Sequence, residues 1–170
     1  MLRTKTDVES GLPILLRTLD DPDAMVRIHA AELLLQLDPK AVSAQRALLE
    51  ELRSREVGIQ QMAGADLERI GASLASELIP QLKRLLKERD GLLRLQVARI
   101  LARLGPAEAR LAQETVLSGL RDKNVLVRRD AVQSLKAAVK DLDTVLPTLR
   151  EALRDEEDRK STRLNSSHRL

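Results

Sequence analysis

The feature that most constrains this chain is an internal repeat. Four segments align with one another, Leu19–Leu37, Leu52–Ile70, Leu86–Leu104 and Leu120–Ala138, at offsets of 33, 34 and 34 residues, and a fifth copy opens at Leu153, 33 residues on. Self-similarity at such a period marks stacked supersecondary units, because one unit cannot bury both of its faces and must lie against its neighbours.

Within each copy the apolar residues recur at helical spacing. Val26, Ala30, Leu34 and Leu37 return as Ile59, Ala63, Leu67 and Ile70, then as Leu93, Val97, Leu101 and Leu104, and finally as Val127, Ala131, Leu135 and Ala138. Small residues stand beside them at Ala31, Gly64 and Ala98, where two helix axes can approach closely. A second apolar run precedes each copy, for example Leu12, Leu15, Leu16 and Leu19, or Leu78, Leu82, Leu85 and Leu86. Each unit is thus expected to be a helix A, a tight turn and a helix B, with B segments near 23–37, 56–70, 90–104 and 124–139. Pro13, Pro80 and Pro147 fall in the A segments at intervals of 67 residues, two repeats. Proline is tolerated in the first helical turn and kinks a helix further in.

The pattern Asp-x-x-x-x-Val-Arg-x-x-Ala-Ala, followed by Leu and an Asp-Pro or Gly-Pro turn, resembles the short bacterial form of the HEAT repeat over residues 8–157. Tetratricopeptide and ankyrin repeats have similar periods, but the aromatic positions of the first and the Thr-Pro-Leu-His of the second are missing. The resemblance implies an all-α fold: a right-handed α-solenoid of about four and a half antiparallel helix pairs. It also implies a structural ladder between neighbouring repeats. Asp21 precedes Arg27 by six residues, as Glu88 precedes Arg94 and Asp122 precedes Arg128, whereas the second copy holds Ser54 and Gln60. Acid and base are lost together there, as a paired role requires. A phosphate or acidic partner gripping the arginines is the competing reading.

Composition narrows the function. Phe, Tyr, Trp and Cys are all absent, which excludes disulfides, thiol catalysis and zinc–thiolate sites, and removes the aromatic anchors of binding hot spots and base stacking. Lack of Cys fits a reducing, cytoplasmic setting. No apolar run approaches the roughly 18 residues of a membrane span. His29 and His168 are the only histidines. His29 falls at a helix-B position expected to be packed, and no nucleophile–base arrangement, metal set or phosphate-cradling glycine loop is visible. Neither a cofactor nor an enzymatic activity is expected.

Residues 158–168 read Asp-Arg-Lys-Ser-Thr-Arg-Leu-Asn-Ser-Ser-His. The string resembles the one-frame translation of a common sequencing-library adapter. The repeat breaks at the same place: Asp155 opens a fifth copy, but Ser161 stands where its Arg should be. The chain is therefore read as a repeat array over 1–157, a fragment of a longer protein, and a non-native or disordered tail over 158–170. The Asn165-Ser-Ser acceptor match then carries no weight. Nor does the basic balance: removing four of 29 bases and one of 26 acids leaves 25 of each, so the charge is no argument for nucleic acid.

A protein-interaction or scaffold role remains. In HEAT arrays the B helices line the concave face, and the residues between their packed positions should point there. Ile28 belongs to this set in the first copy, and from the second copy onward the set turns basic: Arg69, Leu95, Arg99, Arg103, Arg129, Gln133 and Lys136. Such a stripe suits a protein or acidic peptide, or else is a solvated face paired by neighbouring acids. Alternatives are a non-catalytic arm of a phycobilin-lyase-like or other enzyme system and, less favoured, a nucleic-acid binder like the HEAT-like DNA glycosylases. No membrane or small-molecule partner is expected.

Overall fold

The computed structural model describes residues 5–138 together with Leu146 and Arg150, with side chains described from Gly11 to Leu135 and at those two residues. The fifth copy, Pro147 and the 158–170 tail lie outside the described residues, as does the side chain of Lys136.

The described residues form eight α-helices and no strand: α1 Lys5–Thr18, α2 Ala24–Leu37, α3 Val42–Glu51, α4 Val57–Ile70, α5 Ile79–Leu85, α6 Gly91–Leu101, α7 Pro106–Gly119 and α8 Val125–Ala138. Odd-numbered helices occupy the A positions and even-numbered helices the B positions. Each A helix packs on its own B helix, and successive B helices touch in order, α2 on α4, α4 on α6 and α6 on α8. The contacts are those of a stack in which each repeat meets its neighbours.

Local chemistry sets the ends of these helices. Asp23 caps α2 by accepting from the Met25 and Val26 amides, and Asp90 caps α6 by accepting from those of Leu92 and Leu93, which satisfies amides left without a partner in the first turn. Pro106 opens α7, where its missing N–H costs nothing, whereas Pro13 lies inside α1. Helix α4 stops at Gly71, whose φ of 48° is the only left-handed value among the described residues. A left-handed residue turns the chain away and favours glycine. Two short 3₁₀ turns, Gly71–Ser73 and Ser76–Leu78, follow it, and α5 is left with only seven residues.

The core is aliphatic. Leu34, Leu48, Leu52, Leu67, Leu78, Leu82 and Leu101 are fully buried, and Ala31, Ala63, Ala98 and Ala131 line the close helix contacts. The expected packed positions are not equally covered. Ile59, Leu93 and Val127 are buried, but Val26 in the same register is 39 % exposed, and Leu37 is also exposed. Val132, in register with Ala31 and Ala98, is 58 % exposed against 0 % for both of them. Inner positions are covered from both sides; those at either end of the described stack are covered from one.

Candidate functional site

Three turns between helix A and helix B share one construction. Asp21 and Asp122 each accept from the amide two residues on, at 2.8 Å from Asp23 N and 2.8 Å from Asn124 N. An arginine in the first turn of helix B then reaches back over the turn. Arg27 Nη1 donates to the carbonyls of Asp21 and Pro22 at 2.6 and 3.0 Å, Arg94 Nη1 to those of Glu88 and Arg89 at 2.8 and 3.1 Å, and Arg128 Nη1 to those of Asp122 and Lys123 at 2.8 and 3.0 Å. A cation here gathers two carbonyls of the turn, beyond the end of the A helix, which would otherwise be left to water.

The acid six residues before each arginine therefore offers it a backbone carbonyl. Side-chain pairing runs onward to the next repeat. Arg94 meets Asp122 at 3.3 Å, and Arg27 meets Glu51 at the end of α3 at 2.6 Å. Glu51 has a side chain only 9 % exposed, so Arg27 compensates a nearly buried charge. The Asp21–Arg27 spacing marks the turn; Asp122, which Arg94 meets, is one of the expected ladder acids of the next repeat, whereas Glu51 is a residue the spacing did not indicate.

At the second turn Ser54 Oγ accepts from Glu56 N at 3.2 Å, keeping the loop closure of the aspartates. Glu56 makes no cap bond, and Gln60 stands in place of the arginine. Two buried amides make polar contacts in this repeat, Gln45 at the connections that lead from a B helix to the next A helix and Gln96 at the start of α4. Gln45, with 0 % exposure, donates to the Pro39 and Ser73 carbonyls at 2.8 and 2.9 Å and accepts from Ala75 N at 2.7 Å. Gln96 donates to the carbonyls of Gln60 and Gln61 at 3.0 and 3.4 Å.

On the B-helix face the structure alters the expected basic stripe. Leu95 does not present itself to a partner: it is 1 % exposed and packs near Gly119 of α7. Ile28 is likewise buried at 1 %. Both are apolar side chains enclosed in the stack, Leu95 against the A helix of the following repeat, so the spacing placed them one face too far round. The arginines are already paired. Arg99 lies 3.0 Å from Asp130 and 3.7 Å from Glu68, and donates to Ser134 Oγ at 2.9 Å. Arg103 meets Glu68 at 3.2 Å and Arg69 meets Asp66 at 2.7 Å. Arg129 and Gln133 are exposed. His29, expected to be packed, is exposed, because nothing among the described residues covers that side of α2.

Among the described residues no three His, Asp or Glu side chains cluster as a metal set, and no helix is long and apolar enough to cross a membrane. A hydrogen bond from Lys83 Nζ, 2.9 Å away, holds the carboxyl of Glu108 below the usual range, helped by its own backbone amide.

The repeated helix pairs, touching B helices and arginine-closed turns define a class of α-helical repeat protein. Comparison with known families gives the name: the profile described as HEAT repeats matches residues 79–164, just over half of the chain, and the chain belongs to that family. The match covers the third and fourth copies and runs past the break at residue 157. No curated protein matches the chain.

Proposed function

We propose that the chain is a non-catalytic interaction module, a scaffold that holds a protein partner along its stack of helices. HEAT repeats commonly mediate protein–protein contact, and the observation that carries the reading here is the unbroken succession α2, α4, α6, α8. Such a succession presents side chains from four repeats along one surface. The right-handed superhelix of about four and a half pairs implied by the sequence belongs to the same proposal.

On the B-helix face the members best placed to reach a partner are Arg103, Arg129 and Gln133. Arg99 is spoken for by Asp130, Glu68 and Ser134, and Arg103 retains 57 % side-chain exposure beside Glu68. A partner on this face must compete with the existing ion pairs, so its grip is weaker than the count of arginines suggests. Photo-crosslinking from position 133 in the full chain tests the reading. A discrete protein captured by the parent chain and lost in the Arg103→Glu/Arg129→Glu variant supports both module and face. Capture unchanged by the variant removes the face, and no discrete product from any exposed position on α2, α4, α6 or α8 removes the module.

A further inference from the structure

Among the described residues a row of unpaired positive charge lies on the edge formed by the A–B turns. Arg53 and Arg55 stand on the second turn, Lys87 and Arg89 on the third, and Lys123 on the fourth, and all five are exposed. None of these five side chains is engaged in an ion pair or hydrogen bond among the described residues. The B-helix arginines Arg69, Arg99 and Arg103, by contrast, all hold carboxylates. Neighbouring turns sit side by side. Arg94 of the third repeat reaches Asp122 on the fourth turn, and α3 and α5 share a shallow depression lined by Glu50, Arg53, Gln81 and Arg84. The first turn carries Asp20, Asp21 and Asp23 instead, so the basic row has a defined acidic end.

We propose that this edge binds an extended acidic peptide whose carboxylates recur every third residue. The inference rests on the reading of the chain as a protein-interaction module. Packed helices lie about 8–10 Å apart, and a peptide in the extended polyproline II conformation rises about 3.1 Å per residue with three residues per turn, so every third side chain returns to the same face about one repeat further on. Acids at positions 1, 4 and 7 of such a segment meet the second, third and fourth turns in succession. Val57 and Val125, 59 % and 62 % exposed, stand two residues beyond Arg55 and Lys123 and give apolar shoulders to the residues between the acids. Glu56, Glu88 and Asp90 lie on the same edge. They interrupt the positive field and select spaced carboxylates over a continuous polyanion, whose closely set phosphates would face these acids.

The test uses the full chain and three fluorescent probes: a peptide with Glu at every third residue, a peptide of the same composition with its Glu in one block, and a short DNA duplex, with anionic lipid vesicles as a fourth arm. The spaced peptide is expected to bind most tightly, with affinity falling as salt rises, and Arg55→Glu/Arg89→Glu/Lys123→Glu is expected to weaken it by about tenfold or more. These side chains support no other group, and circular dichroism checks that the variant is folded. Equal binding of the blocked peptide, or tighter binding of DNA or vesicles, overturns the proposal. So does spaced-peptide binding that survives the edge variant but is lost in Arg103→Glu/Arg129→Glu, an outcome that leaves the interaction module standing. No peptide binding in a chain that still captures a crosslinked protein overturns the edge alone.

Discussion

At the first, third and fourth turns a guanidinium clasps two backbone carbonyls, and in the first and third it also crosses to a carboxylate of the following repeat. At the second turn the corresponding positions hold Ser54, Glu56 and Gln60, and the middle of the molecule is held by neutral amides, Gln45 below and Gln96 above. The difference teaches that one repeat geometry tolerates two polar solutions. A charged clasp works where the guanidinium itself stays 24–25 % exposed, even when the carboxylate it meets is nearly enclosed. Where side chains are fully enclosed, an amide gives and accepts hydrogen bonds without burying an ion.

The largest expected effect breaks the amide solution. Gln45→Leu removes three bonds at once and leaves backbone groups of the 38–41 and 71–75 connections without partners, so urea denaturation should show a loss of about 2–3 kcal/mol. Next, Arg27→Met leaves the nearly buried Glu51 without its cation. The same measurement should give about 2 kcal/mol, whereas Arg46→Met, whose partner Glu77 is more than half exposed, should lie within about 0.5 kcal/mol of the parent.

A third substitution sharpens the contrast. A methyl group at Gly64 would fall 1.8 Å from Gln96 Nε2, although alanine fills the same register at Ala31 and Ala98. Gly64→Ala should therefore evict the amide and cost about 1 kcal/mol. In a Gln96→Ala background its sign should reverse to a gain of about 0.5–1 kcal/mol from helix propensity. A double-mutant cycle reads the reversal directly, and a cost that persists without the amide would sink the account. Smaller still, Glu56→Asp restores to α4 the cap that Asp23 and Asp90 give their helices, for an expected gain of about 0.5 kcal/mol in thermal or urea denaturation.

The smallest effect is the pH dependence of the Lys83–Glu108 contact. Its folded carboxyl titrates below the unfolded one, so the contribution is whole above the ordinary carboxylate range and fades as pH falls through the lowered value. Lys83→Met should remove that acid-side slope while leaving stability at neutral pH almost unchanged.

The repeat register, the helical identity of the segments and the close-packed small residues could all be read from the sequence, because they follow from period and residue size alone. The turn arginines were also legible as a set, and so was Asp122, the ladder acid that Arg94 reaches, but Glu51 was not. Spacing shows which residues recur in each copy; a contact between copies, such as Arg27 with Glu51, joins positions with no shared register. Gln45 gave a faint signal, a polar residue beside the apolar Ala44 and Leu48 of one helix face. Leu95 was misplaced because an amphipathic stripe about 100° wide leaves its border residues undecided until the neighbouring helix is in place. The charge state of the B-helix face escaped for a related reason. Glu68 and Asp130 neutralise Arg99 from adjacent repeats, and no reading of one helix at a time reveals it.

Arg99 has a mechanical consequence as well. Through Glu68 of α4 on one side and Asp130 and Ser134 of α8 on the other, a single side chain fastens the second repeat to the fourth across the third. Pulled from its ends, a chain of repeats coupled only to immediate neighbours yields one link at a time. One side chain shared by two junctions links their opening, so the second–third and third–fourth junctions should yield together more readily than junctions held by separate contacts.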